Sequence, residues 1–188
     1  MKKLLIFSVL CFLLVVSACE DNKSVDQRVR DITDKRVLSS GLELWVENGA
    51  QVSQLEIRTI EGGMREKFAR AIALGYNRPT TLGNYTVVIF ADCVKEANGV
   101  YVYKIPAAGT PYEGGQYDHD GFIHVAGQYM DNRTDKNIIV LPDYRDDSLE
   151  ILANTAGYEV EHVVLRHSNP SEYYRTKIHS ALTPHPLF

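Results

Sequence analysis

Two capping signatures bracket a run of short β-type segments, and this punctuation constrains the fold more than any other feature of the chain. Ser53 and Glu56 stand three apart, with Val52 and Ile57 placed for a hydrophobic staple. Behind them Ile57, Ile60, Met64, Phe68 and Ala71 recur on a helical period that stops near Gly75. Asp147 and Glu150 repeat the signature with aspartate, ahead of a second helix running to about His167 and closed by Asn169-Pro170. A strand is expected over 42–47, before the first helix. Four more are expected between the helices, over 86–91, 99–105, 121–129 and 137–141. Strand, helix, several strands, helix and an irregular tail make an α+β domain, with two main helices on a mostly antiparallel sheet. Gly62-Gly63 interrupts the first helix at about 1 kcal/mol per glycine relative to alanine, which close packing on the sheet would explain.

The amino terminus is a different kind of segment. Lys2 and Lys3 precede an apolar run over 4–16, followed by Val16-Ser17-Ala18-Cys19. A basic start, a short apolar centre and small residues make a secretory leader. The run is shorter than the roughly 20 residues that span a bilayer. Cysteine directly after Val-Ser-Ala is the bacterial lipobox pattern. The expectation is cleavage before Cys19 and acylation of its thiol and new amino group, with membrane anchoring through those chains at about 0.8 kcal/mol per buried methylene. Glu20 follows the cysteine, where an aspartate would resemble an inner-membrane retention signal. Outer-membrane placement, facing the periplasm, is therefore expected in a Gram-negative cell. The chain divides into leader (1–18), lipidated Cys19 with a polar tether (19–40), and one globular domain (41–188).

Removal of the leader leaves 18 basic against 24 acidic residues and moves the formal net charge from −4 to −6. That balance excludes a phosphate-backbone footprint, so nucleic acid is not an expected partner. Cys11 leaves with the leader and Cys19 takes lipid, so Cys93 has no intramolecular partner for a disulfide and reads as a buried, inert thiol.

Four of the six histidines lie beyond Gly157: His162, His167, His179 and His185. Glu159 and His162 form Glu-x-x-His on the second helix, with Tyr158 and His162 four apart on one face. This helix, after a run of strands, resembles the active-site helix of zincin metallopeptidases. Their His-Glu-x-x-His motif supplies two zinc ligands and a general base. The resemblance implies Glu159 as base and His162 as ligand, with Tyr158 standing where the first histidine belongs. Either His179 or His185 would supply a downstream ligand. A neutral phenol is a poor zinc ligand, since its ordinary pKa is about 10. A site of His162, His179 and His185 would instead leave Tyr158 to donate to an oxyanion. The function implied is a zinc-dependent peptidase of the cell envelope, atypical or degenerate at its site. Two rival readings stay open. One is a non-catalytic envelope lipoprotein that binds a peptide or protein partner and needs no metal; the other sequesters metal without turnover.

Other constellations carry less. Asp118-His119-Asp120-Gly121 reads as a turn between strands rather than a cation site. Asp146-Asp147 reads as helix capping and His167 as a partner for the helix dipole at the C-terminal end. There is no phosphate loop, nucleophile elbow or dinucleotide fingerprint.

Overall fold

The computed structural model describes residues 24–77, 79–130 and 135–171. Among these described residues the fold is α+β, with three α-helices, α1 (Val25–Asp31), α2 (Gln54–Ala73) and α3 (Leu149–Ser168), and eight strands. The strands are β1 (Asp34–Val37), β2 (Glu43–Val46), β3 (Tyr85–Phe90), β4 (Val94–Lys95), β5 (Tyr101–Pro106), β6 (Phe122–Val125), β7 (Gln128–Met130) and β8 (Asn137–Pro142). No helix among the described residues is long and apolar enough to cross a membrane.

Five strands form the main sheet in the order β1-β2-β3-β8-β7, and β4-β5-β6 form a second, smaller sheet. Four of the six strand pairings are antiparallel, as expected. The centre of the main sheet is not: β2 pairs β3 in parallel, with Leu44 opposite Val87, and β3 pairs β8 in parallel, with Val87 opposite Ile139. The helix α2 is the crossover that a parallel β2-β3 pair requires. All six residues of β3 are buried, the mark of a strand covered on both faces.

Alternation along β3 divides the core. Tyr85, Val87 and Ile89 pack with Ile60, Met64 and Phe68 of α2 and with Leu152, Ala156 and Val160 of α3. Val88 and Phe90 pack on the other side with Val29 and Ile32, with Tyr103 of β5, and with Met130, Ile138 and Val140.

The polar tether expected over 19–40 needs correction from Ser24 onward. Ser24 caps α1 by accepting the Gln27 N–H, and β1 adds to the edge of β2. Val25, Val29 and Ile32 lie at helical spacing and reach the second core, Val29 and Ile32 being buried. Arg28 reinforces the dock: its guanidinium makes two bonds to Glu47 at 2.9 and 2.5 Å and lies 4.0 Å from the Phe90 ring centre. Three apolar residues among many charges leave too faint a period to mark a helix. Val29→Ala is expected to lower the unfolding free energy by about 1.5 kcal/mol, read as a urea midpoint shift. A true tether would show none.

The first helix begins as its sequence dictates: Ser53 and Glu56 form a complete capping box. The second does not. Ser148, at φ 54°, holds the N-cap position of α3 without a side-chain capping bond. Asp147 turns instead to Lys95 and to the Tyr101 hydroxyl at 3.0 Å. The Lys95 ammonium, followed by that hydroxyl, holds the Asp147 carboxyl below its ordinary pKa. Asp146 accepts the Ser53 hydroxyl and so ties the start of α2 to the turn before α3.

Of the glycine pair, Gly63 packs against a helix rather than the sheet. A Cβ on Gly63 would stand 2.2 Å from the Ala153 carbonyl oxygen, so α2 and α3 touch backbone to backbone there. Gly157 continues the contact, its α-carbon facing Lys67 and the Gly63 carbonyl. Gly62 meets nothing within 4 Å.

Candidate functional site

The helix α3 is covered on more than one side. Val160, Val163 and Val164 enter the main core, and Leu165 is equally buried. Two carboxylates are buried with them, Glu159 and Glu161, each only 3% exposed. The second has a partner: Lys67 of α2 reaches its Oε1 at 2.5 Å. Burial raises the Glu161 pKa while the Lys67 bond and charge pull it back.

Glu159 is held differently. Its carboxylate accepts the backbone N–H of Tyr129 in β7. It packs against the β6–β7 turn so closely that a Cβ on Gly127 would lie 3.1 Å from Oε1 and 2.8 Å from the Thr155 methyl. Loss of water pushes the Glu159 pKa up to about 8; the Tyr129 N–H opposes that rise and the Glu161 charge adds to it. In the same region the Tyr103 hydroxyl donates to Gln128 at 3.2 Å, and burial beside Glu159 holds that phenol well above its ordinary range.

Tyr158 and His162 lie together, as their spacing requires. Their rings meet edge to face, 4.7 Å between centres and 89° between planes, and both are half-buried. Burial, then the charges of Glu159 and Glu161, pushes the Tyr158 phenol up to about 12. A protonated phenol suits hydrogen-bond donation and not metal ligation. His179 and His185 lie outside the described residues, as do Cys19 and the leader. Among the described residues no group of three or more histidine, cysteine, aspartate or glutamate side chains is gathered as a metal site. Of the three histidines expected as zinc ligands, His162 alone is among the described residues.

The remaining constellations resolve simply. Asp118 accepts the N–H groups of Gly114 and Gly121, both at 2.8 Å, which makes the Asp-His-Asp segment a turn. His119 lies against His124, with 5.3 Å between ring centres, and His124 Nδ1 sits 3.0 Å from a Glu96 oxygen. Burial pushes the Cys93 thiol up to about 12, which disfavours the thiolate, and its Sγ contacts the Phe90 carbonyl at 3.1 Å.

Sequence reasoning missed a cleft of about 390 Å³, lined mostly by polar residue types, at the C-terminal end of α3. His167 lines it, and the ring's Nε2 lies 3.1 Å from Asn137 Oδ1 at the start of β8. Asn84 and Asn137, which also line it, are distant in sequence and are brought together by the parallel pairing of β3 with β8. Comparison with family models, curated proteins and solved structures found no match to this chain.

Proposed function

We propose that this chain is a cell-envelope lipoprotein, anchored through acylated Cys19, whose folded domain acts by binding a partner rather than by cutting peptide bonds. The seat of Glu159 carries this reading. A zincin base must reach a metal-bound water and be ionised near neutral pH to accept its proton. The Glu159 carboxylate already accepts a backbone N–H, abuts Gly127, and has a pKa near 8. Its chemistry is that of a buried hydrogen-bond acceptor fastening the β6–β7 turn to α3.

A second reading, the atypical zinc peptidase, draws support from His162. That imidazole lies beside Tyr158 on a half-buried face, the arrangement in which tail histidines would complete a three-imidazole site with Tyr158 as oxyanion donor. In that scheme Glu159 would have to leave Tyr129 before acting as base.

Metal content separates the two. Mature chain purified without chelator is expected to carry no stoichiometric zinc by plasma mass spectrometry after gel filtration, and to show no thermal shift on adding zinc. About one zinc per chain, lost in His162→Ala, together with peptide hydrolysis lost in Glu159→Gln, would overturn the binding reading in favour of the peptidase.

A further inference from the structure

The helix α2 buries one face against the sheet and α3, and its outer face carries a second pattern. Leu55, Arg58, Gly62, Arg65, Ala69 and Ile72 follow one another at alternating steps of three and four, and all six are exposed. That spacing draws a straight seam along a helix, the kind that two helices share in a coiled coil. At about 1.5 Å per residue the seam runs roughly 26 Å, nearly the whole of α2. Leu55 and Ile72 stand at its two ends, 51% and 58% exposed. Gly62 lies at its middle, where a Cβ would meet nothing within 4 Å. An exposed glycine inside a helix costs about 1 kcal/mol relative to alanine, and the packing of α2 against its own domain does not require this one.

The seam is complementary to its own reverse. When a second α2 lies antiparallel, with the dyad midway between Gly62 and Arg65, Leu55 meets the second copy's Ile72. In the same register Arg58 meets its Ala69, and Arg65 meets its Gly62. Each long arginine then crosses a residue too small to obstruct it, with its aliphatic stem laid on the opposing helix. Glu66 stands four residues after Gly62 and three before Ala69, so it flanks the seats of both arginines and gives each an opposing carboxylate. Arg58, Arg65 and Glu66 are exposed and make no hydrogen bond or ion pair among the described residues, so the pairing breaks no existing contact. Charge and size also reject the other arrangements. A parallel pair in register would set Arg58 on Arg58 and Arg65 on Arg65, like charges on one seam. Sliding the antiparallel pair by one heptad leaves two of the six residues unpaired and opposes Leu55 to Arg65 or Ile72 to Gly62.

We propose that the outer face of α2 is an interface for a second copy of this chain, with the two helices antiparallel and Arg65 of each copy seated over Gly62 of the other. A single helix pair is at the small end of specific interfaces, so the dimer is reversible. The pairing goes beyond the binding function proposed above and does not rest on it.

The test is sedimentation equilibrium of the mature chain over a dilution series, where a reversible monomer–dimer equilibrium is expected. Gly62→Leu fills the seat of Arg65, and Arg65→Glu sets a carboxylate beside Glu66. Each is expected to raise the dimer dissociation constant roughly tenfold or more. Both positions are exposed, so circular dichroism of the dilute variants should match that of the parent. Oxidative cross-linking then reads the register. A mixture of the Leu55→Cys and Ile72→Cys variants is expected to give a disulfide-linked dimer, and neither variant alone. A chain that stays monomeric throughout the series, a dimer indifferent to both substitutions, or cross-linking of the Leu55→Cys variant with itself would each overturn the proposal. So would a monomer held on phosphatidylglycerol vesicles through Arg58 and Arg65, which would assign the seam to lipid.

Discussion

Gly63→Ala is expected to cost roughly 4 kcal/mol or more of folding free energy, at the upper end for a point change. The added methyl would sit 2.2 Å from the Ala153 carbonyl oxygen and within 3 Å of that residue's carbonyl and α-carbons. Those atoms are helix backbone, so relief requires α2 and α3 to move apart along their whole contact. The gain in helix propensity, about 1 kcal/mol, is far too small to offset this. Gly62 supplies the control one residue away. A Cβ there meets nothing within 4 Å, so Gly62→Ala should stabilise by up to about 1 kcal/mol. Urea midpoints of the two variants should therefore shift in opposite directions. Equal shifts would mean that the helices do not cross at Gly63.

The second large effect is a loss of stability as pH rises toward 8, traced to Glu159. Its folded pKa, about 8, lies above the ordinary glutamate value of 4.5, so the folded state holds a proton that the unfolded state releases. The contribution is complete below the unfolded pKa and is lost as pH rises through the folded one. Its size is on the order of 4 kcal/mol between pH 4.5 and 8.5. Glu161 acts in the same direction, restrained by Lys67. Cys93 adds the same sign only at higher pH, since its pKa of about 12 exceeds 9. Glu159→Gln keeps an acceptor for the Tyr129 N–H and cannot ionise. It should flatten the profile and exceed the parent in stability at pH 8.5. Denaturation curves at half-unit intervals from pH 5 to 8.5 measure this directly. A parent profile that is level or rising across that window would show Glu159 to be solvated.

The residues that were legible in sequence are those whose meaning is local. Ser53 and Glu56 cap α2 because both partners lie within one turn. The turn at Asp118 is equally local, its two N–H donors only three and four residues away. Legibility ends where a distant partner competes. Asp147 has the spacing of a cap, yet Lys95 and Tyr101, some fifty residues earlier, take its carboxylate. The parallel centre of the sheet depends on Val87 meeting both Leu44 and Ile139, pairings that no local period encodes. Gly63 stood out as an oddity, but its reason is Ala153. The Glu-x-x-His motif was visible, whereas the surroundings of Glu159 come from Gly127 and Tyr129 on another element. His167 gave no sign of the cleft, because Asn84 and Asn137 reach it only through the fold.

The docking of α1 also sets a distance. The Ser24 cap of α1 stands only five Cα-to-Cα steps from Cys19. Fully extended, five residues span at most about 18 Å. If Cys19 is acylated, as proposed, the domain has no long leash. It must stand within a few nanometres of its own bilayer, with the end carrying α1 nearest the lipid, and any partner has to be met there, at the membrane surface.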